Sequence, residues 1–154
     1  MPDRIQPAEL GRYLPESGLC WITGCSGECA HFLLGPCGLS RPSLTVTGIF
    51  VPGLNKPAYL LDTGGRVTTF FMLPEFAASD RVDFLPLSYR DIRAWFADNP
   101  PQAALVMVSP PGTDGRCSFG PVTDFIADMW ERIPTLIAHV NPSMPGTRGT
   151  PGIP

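Results

Sequence analysis

The residues of this chain that could do chemistry lie in three glycine-rich loops, each of which follows an apolar stretch. The loops are GCSGE (residues 24–28), TGIFVPGLN (47–55) and SPPGTDGRCSFG (109–120). Backbone N–H groups in such loops can approach an anion or a developing oxyanion closely. A single loop of this kind is more often only a tight turn. Three of them at one predicted sheet edge favour a binding site.

None of the three loops matches a nucleotide-binding or nucleophile motif. The GCSGE segment lacks the Lys-Ser/Thr pair and the longer spacing of a phosphate-binding P-loop. Its Gly-Cys-Ser-Gly order also differs from the Gly-x-Ser-x-Gly order of a nucleophile elbow. No Gly-x-Gly-x-x-Gly run occurs in the chain, so a dinucleotide site has no support.

A zinc site is one alternative, because Cys25, Cys29, His31 and Cys37 are residues of the types that bind zinc. Their spacing, C-x3-C-x-H-x5-C, matches no standard zinc knuckle or ribbon. Buried structural cysteines explain the pattern better, and we expect no bound metal.

A catalytic thiol is a second alternative, based on Cys117 beside Arg116 in the third loop. His31 and His139 lie on other predicted elements, so a Cys–His pair has little support. His139 is better interpreted as a core or strand-end histidine. Glu28 fits a helix-dipole role, and the acidic residues form no spaced pair suited to general acid–base catalysis.

Size and charge limit the class of protein. The 154 residues and 44% hydrophobic content predict one globular domain, and the 19 prolines and 16 glycines predict many short loops. A net charge of −3 without a basic cluster argues against nucleic-acid binding. No apolar run reaches the ~20 residues of a membrane span. Five cysteines without a signal peptide indicate reduced thiols and a cytoplasmic location.

The elements that must position the loops follow from the apolar pattern. Six stretches are continuously apolar or β-branched, which is typical of strands buried on both faces of a parallel sheet. We therefore predict an α/β fold with an open, mainly parallel sheet and helices on both faces. The predicted strands are residues 20–23, 44–50, 67–72, 82–85, 103–109 and 136–141. The predicted helices are residues 7–14, 28–34, 89–97 and 122–132.

The segments ALVMVSPPGTDGRCSFG and LIAHVNPSMPGTRG together resemble the N-terminal domain of the acetyl-CoA hydrolase/transferase family (CoA-transferase family I). The family pattern is a strand ending in Ser-Pro, an acidic turn and Gly-x-Cys-Ser-x-Gly, then a strand ending in Val-Asn-Pro-x-Met-Pro-x-Thr. The segments FLPLSYRDI and VTGIFVPGLN are similar to further family segments, so the resemblance covers nearly the whole chain.

The resemblance implies a CoA-transferase-like half of a two-halved α/β enzyme, with a coenzyme A thioester and a small carboxylate as substrates and no covalently bound cofactor. It implies that the nucleophilic glutamate belongs to a C-terminal half, so that this chain has no catalytic residue of its own. We assign residues 1–149 to the N-terminal-like domain and 150–154 to an unstructured tail or truncated linker. A C-terminal half or second subunit is the expected partner, and a homodimer is possible.

Three positions depart from the family pattern. Gly112 stands where the family often has Asp, Asp114 where it often has His, and His139 where it often has Glu. The chain is expected to shape the acyl pocket and to supply amide donors from residues 24–27 and 109–120. The candidate substrate-binding residues are Gly24, Cys25, Ser26, Gly27, Gly48, Phe50, Ser109, Pro110, Gly112, Gly115, Ser118, Gly120 and Asn141.

Two functions from other classes remain open at this point. One is a non-catalytic binding or interaction module that retains the fold, and the other is an independent thiol enzyme built on Cys117. The enzyme reading also predicts an exposed apolar surface that would meet the missing half, including Phe50 and Leu54.

Overall fold

The apolar stretches form one parallel sheet in a computed structural model, which describes residues 3–28, 40–147 and 152–154. The sheet order is β4-β3-β2-β1-β5-β6, and every neighbouring pair is parallel. This confirms the predicted open α/β sheet. The strands are β1 (Ser17–Ile22), β2 (Ser43–Gly48), β3 (Arg66–Thr69), β4 (Val82–Phe84), β5 (Ala103–Val108) and β6 (Thr135–Val140).

The apolar composition of the inner strands follows from their position. All six residues of β5 are buried, because β5 has a strand on each side and a hydrophobic cluster on each face. The register places Cys20 of β1 opposite Ala103 of β5, and Met107 of β5 opposite His139 of β6. Small residues such as Ala103 and Ala104 leave room there for larger neighbours.

Helical segments cover both faces of the sheet, as predicted. One face packs against two 3₁₀ helices, Pro7–Arg12 and Pro57–Thr63, through buried residues such as Leu10 and Leu60. The other face packs against α1 (Tyr89–Asp98) and the single turn α2 (Ile126–Met129), which continues into a 3₁₀ turn.

The helix α1 begins where its sequence predicts. The Ser88 hydroxyl accepts a hydrogen bond from the Asp91 backbone N–H and donates one to the Asp91 carboxylate. Ile92 and Phe96, four residues apart, form the buried stripe of the helix. The Phe96 ring packs edge-on against Trp21 at a centroid distance of 5.3 Å. This contact fixes the helix across the sheet.

Several predicted elements differ in the structure. The segment predicted as a helix from residue 122 becomes helical only at Ile126, because Asp124 has a positive φ of 40° that an α-helix cannot include. The predicted helix at residues 7–14 is a 3₁₀ helix, Pro7–Arg12. The 3₁₀ helix Pro57–Thr63 was not predicted. The predicted helix at 28–34 lies almost entirely outside the described residues.

The last described residues contradict the prediction of an unstructured end. Ile153 forms an antiparallel bridge with Cys117, with N–O distances of 2.8 and 2.9 Å, and its side chain is buried. The Arg116 side chain also donates a hydrogen bond to the Gly152 carbonyl. Residues 152–154 therefore lie against the loop that follows β5. In the described part of the chain, no helix is long and apolar enough to cross a membrane.

Candidate functional site

The predicted loops meet at one edge because all six strands run in the same direction. The loops after β1, β2, β5 and β6 leave the carboxyl ends of their strands at that edge. The chain passes from β1 outward to β2, β3 and β4, and then returns to β5 on the other side of β1. The connection after β1 therefore leads towards β2, and the connection after β5 leads in the opposite direction, towards β6. Open α/β sheets bind ligands at such a switch point.

Asn55 fastens the loop after β1 to the loop after β2. Its side-chain oxygen accepts hydrogen bonds from the backbone N–H groups of Cys25 (3.0 Å) and Val51 (2.8 Å). Its side-chain nitrogen donates to the Cys25 carbonyl (2.9 Å) and the Glu28 carboxylate (3.0 Å). Asn55 is 2% exposed, so these bonds are protected from water. The two loops consequently form one rigid unit.

Glycine is required where these two loops come closest. A Cβ atom at Gly24 would overlap the Ile49 carbonyl, and one at Gly48 would overlap the Ile22 carbonyl.

The prediction that Phe50 belongs to an exposed apolar surface was wrong. Phe50 is fully buried and packs edge-on against Phe76 at a centroid distance of 6.5 Å. Leu54 is 59% exposed, in agreement with the prediction.

Ser118 joins the loop after β5 to the loop after β6. Its hydroxyl accepts hydrogen bonds from the N–H groups of Gly120 (3.0 Å) and Thr147 (3.1 Å), and it lies 2.8 Å from the Thr147 hydroxyl. Its own N–H donates to the Ser109 hydroxyl at 2.9 Å. Ser118 therefore holds the two loops together and has no free lone pair suited to nucleophilic attack.

Most amides of the third loop are already used inside the protein. Gly112, Gly115 and Gly120 donate to the Arg116 carbonyl, the Gly112 carbonyl and the Ser118 hydroxyl, respectively. In the first loop, the Cys25 and Gly27 amides donate to Asn55 and Gly24. The prediction that these positions supply amide donors to a ligand is therefore not supported at these five amides.

A groove of about 580 Å³ lies between the loops after β5 and β6. Four of the predicted site residues line it, namely Ser109, Pro110, Gly112 and Ser118. Residues of the loop after β6, such as Met144 and Thr147, form the other wall, and the groove is lined by one positive side chain, Arg116, and one negative side chain, Asp114. This volume lies within the range of small-molecule sites.

A second polar group of side chains lies at the switch point itself. The Cys25 thiol donates a hydrogen bond to the Ile49 carbonyl (3.5 Å), and the Asp124 carboxyl is close enough to affect its pKa. Burial, the charge of Asp124 and hydrogen bonding with Asp124 raise the pKa of Cys25 to about 11. Burial raises the pKa of Asp124, while its hydrogen bond with Cys25 opposes part of the shift. Cys25 is thus held as a neutral thiol.

The structure does not support a thiol nucleophile at Cys117. The side chain is 8% exposed, and burial raises its pKa. Its backbone is paired with Ile153. A reactive thiolate requires the opposite environment, with a lowered pKa and access to solvent.

The remaining predicted positions are distributed as follows. Ser26 is exposed on the first loop, and Gly115 lies at the turn of the third. Asn141 shapes the turn after β6 by accepting a hydrogen bond from the Ser143 N–H at 2.9 Å. His139 is half-buried on β6. Three of the four residues considered for zinc lie outside the described part of the chain, namely Cys29, His31 and Cys37. The expectation that no zinc is bound therefore stays a prediction.

Sequence reasoning missed Asn55, Asp124 and Thr147 as residues that organise this edge. Asn55 ends an apolar loop, FVPGLN, where a buried polar residue is a usable signal for a loop clamp. Asp124 lies within the segment 122–132 that was predicted as a helix, but the helix does not begin until Ile126. Thr147 carried no separate signal within its loop.

Comparison with known proteins supports the resemblance described above. The 4-hydroxybutyrate coenzyme A transferase of Clostridium kluyveri is 36% identical over 73 residues, which cover 46% of this chain and 17% of that protein. The structure of RipA from Yersinia pestis superposes with a TM-score of 0.77 and 16% identity, over 94% of this chain and 38% of RipA. The 4-hydroxybutyrate CoA-transferase of Porphyromonas gingivalis gives a TM-score of 0.59 and 20% identity, covering 94% and 35%.

No protein-family profile matches the chain. The structural matches show the shared fold, and the sequence match supports a more specific resemblance. The fold is that of an open α/β domain, a class of fold whose ligands bind at the carboxyl ends of the strands. The comparisons confirm the resemblance to a CoA-transferase family N-terminal domain. The chain spans little more than a third of the length of the solved structures that it matches.

Proposed function

We propose that this chain forms the N-terminal half of a CoA-transferase or acyl-CoA hydrolase. In this role it provides one wall of a site for an acyl-CoA and a small carboxylate, and the nucleophilic glutamate belongs to another half. The observation that carries the proposal is the 36% identity over 73 residues to a 4-hydroxybutyrate coenzyme A transferase.

The geometry supports a wall rather than a complete catalytic centre. The loops after β1 and β2 are fixed to each other by Asn55, and those after β5 and β6 by Ser118. The groove between the second pair is large enough to receive part of a thioester. The Cys25 and Cys117 thiols, which could have been nucleophiles, are held protonated.

The distribution of exposed apolar side chains supports a partner at the same edge. Among the described residues, seven large apolar side chains are exposed, and all except Tyr13 lie at or beyond the carboxyl end of a strand. An exposed set of this kind is typical of an interaction surface. We propose that a C-terminal half or second subunit covers it, and that the chain alone self-associates. The six are Val51, Leu54, Met72, Phe84, Tyr89 and Val140.

The test is turnover by the purified chain. It is incubated with acetyl-CoA and acetate while CoA release and intact mass are followed. Covalent transfer needs a nucleophile within near-attack distance of the thioester carbonyl. We therefore expect no appreciable CoA release and no CoA adduct on this chain. Robust turnover, or a stable adduct, would contradict the assignment of the nucleophile to another half.

A non-catalytic module that retains the fold is the second candidate. The internal hydrogen bonds of the glycine-loop amides favour it, because those amides are not available to a transition state. The two candidates differ in ligand binding. A half-site should bind CoA thioesters weakly at the loop edge, whereas a module that has lost this role should not bind them.

A further inference from the structure

Two strained residues from separate loops meet at the switch point. Cys25 has a φ of 49° and Asp124 a φ of 40°, and they are the two non-glycine residues with positive φ in the described part of the chain. Their side chains are close enough for each to affect the pKa of the other. Such conformations cost of order 1–3 kcal/mol each, persist only where the surroundings hold them, and are enriched at ligand sites. Asn55 provides this support at Cys25 by bonding its N–H and its carbonyl.

The Asp124 carboxyl is incompletely satisfied by the protein. Its Oδ2 atom is buried and has no hydrogen-bond partner among the described residues. An unpaired buried oxygen is costly, so an atom in this state requires an explanation. The neighbouring Cys25 thiol does not remove this deficit at Oδ2.

Tyr89 connects this pair to the surface. Its ring stacks on Phe125, with a centroid distance of 5.8 Å and an interplanar angle of 29°, and the residue is 59% exposed. Asp124 and Cys25 are close enough to raise the pKa of Tyr89, although burial contributes more. The polar pair is therefore flanked by a side chain that a bound molecule can reach.

We propose that Asp124 is a specificity-determining residue whose Oδ2 accepts a hydrogen bond from a hydroxyl or amide N–H of the bound thioester. This inference rests on the proposed function and deepens it. The donor has two possible sources with the same chemistry. One is a hydroxyl on the acyl group, and the other is the pantetheine arm of CoA.

The test is calorimetric binding of CoA, butyryl-CoA, 4-hydroxybutyryl-CoA and free 4-hydroxybutyrate to the chain and to variants. Asp124→Gly removes the carboxyl without backbone strain, because glycine accepts positive φ. Asp124→Asn retains an oxygen that accepts hydrogen bonds. Asp128→Asn is the matched control for charge, since Asp128 is exposed and pairs with Arg93 on the surface.

We expect Asp124→Gly to weaken binding by about tenfold, the effect of one hydrogen bond, and Asp124→Asn to restore part of it. Because CoA ligands are anionic, removal of the negative charge of Asp124 should by itself strengthen their binding. Weaker binding by Asp124→Gly therefore cannot be an effect of charge. A loss confined to 4-hydroxybutyryl-CoA identifies the acyl hydroxyl as the donor. An equal loss for CoA and both thioesters identifies the pantetheine arm.

The outcomes separate this inference from the proposed function. If thioesters bind and Asp124→Gly changes no affinity, the role of Asp124 is overturned and the half-site stands. If no CoA species binds but free 4-hydroxybutyrate binds in an Asp124-dependent way, the half-site is overturned and the role of Asp124 as a hydroxyl acceptor stands. If nothing binds, both are overturned.

Discussion

At the scale of single residues, polar groups at the carboxyl edge are kept neutral rather than activated. Burial and the neighbouring Asp124 raise the pKa of Cys25 to about 11, and burial raises the pKa of Cys117. A nucleophilic thiol needs the opposite shift. These shifts fit the proposed enzyme, in which the reacting atom comes from another half.

The raised pKa of Cys25 predicts slow alkylation. At about pH 8 very little of this thiol is ionised, so iodoacetamide should modify Cys25 at least about tenfold more slowly than a model thiol. Mass spectrometry of peptides resolves Cys25 from the other cysteines. Asp124→Asn should speed the reaction, because it removes a charge and a hydrogen bond that raise the pKa. If Cys25 of the wild-type chain reacted as fast as the model thiol, the conclusion that Cys25 is held as a neutral thiol would be wrong.

The raised pKa of Asp124 predicts a stability change with a definite sign. The folded state binds the Asp124 proton more tightly than the unfolded state, so this group's contribution to stability is lost as pH rises through its folded pKa. Asp124→Asn cannot titrate and tolerates positive φ. The variant should therefore be more resistant to urea than wild type at about pH 7, with little difference at about pH 3.

A comparison of urea midpoints at the two pH values measures this effect. Equal gains at both values would show that the Asn side chain acts through packing and not through the titration of Asp124. A gain in stability combined with weaker ligand binding is the expected signature of a residue retained for function.

At the scale of elements, the loops are held in pairs by single buried side chains. Ser118 accepts two backbone hydrogen bonds, one from Gly120 in its own loop and one from Thr147, which connects the loops after β5 and β6. Replacement by alanine leaves the Gly120 and Thr147 N–H groups without this acceptor. We expect Ser118→Ala to lower the free energy of unfolding by about 2 kcal/mol, and Tm by roughly 4–8 °C.

Ser143→Ala is the control for Ser118→Ala, because Ser143 is exposed on the loop after β6. Surface changes of this kind stay within about 0.5 kcal/mol. Scanning calorimetry of both variants measures the two decreases in Tm. Equal, small decreases in Tm would mean that Ser118 is not the connection between the loops.

The elements themselves were largely predictable, because six apolar stretches carried the strand signal without alternation. The helix α1 was predictable from Ser88 and the Ile92–Phe96 spacing. The late start of α2 was not, since nothing in the local sequence indicates the positive φ of Asp124. Local patterns also carry no information on which strands are neighbours, so the switch point between β1 and β5 emerged only from the structure.

The candidate site was predictable at the level of loops and less so at the level of atoms. The glycine-rich segments were found because Gly and Pro interrupt apolar runs. The role expected of their amides has no support at Gly112, Gly115 and Gly120, because these N–H groups bond within their own loop. Partners such as Asn55 are set by tertiary contacts, which one sequence does not display.

At the scale of the whole molecule, the carboxyl edge combines a groove, a strained polar pair and exposed apolar side chains. In a domain without a site at this edge, we would expect these features to lie at unrelated parts of the surface. Their concentration at one edge fits the proposed role of this domain. In that role it contributes shape, hydrogen-bonding groups and a surface to an acyl-CoA site whose reacting residue belongs to another half.

Hydrogen–deuterium exchange of the chain with and without saturating butyryl-CoA tests this central claim most directly. The account predicts slower exchange in peptides that contain residues 24–28, 51–55 and 109–120. Peptides at the opposite end of the sheet, around Gly18, Thr45 and Asn99, should be unchanged and serve as the internal control. Protection confined to that opposite end, or no protection anywhere at saturation, would contradict a half-site at the carboxyl edge.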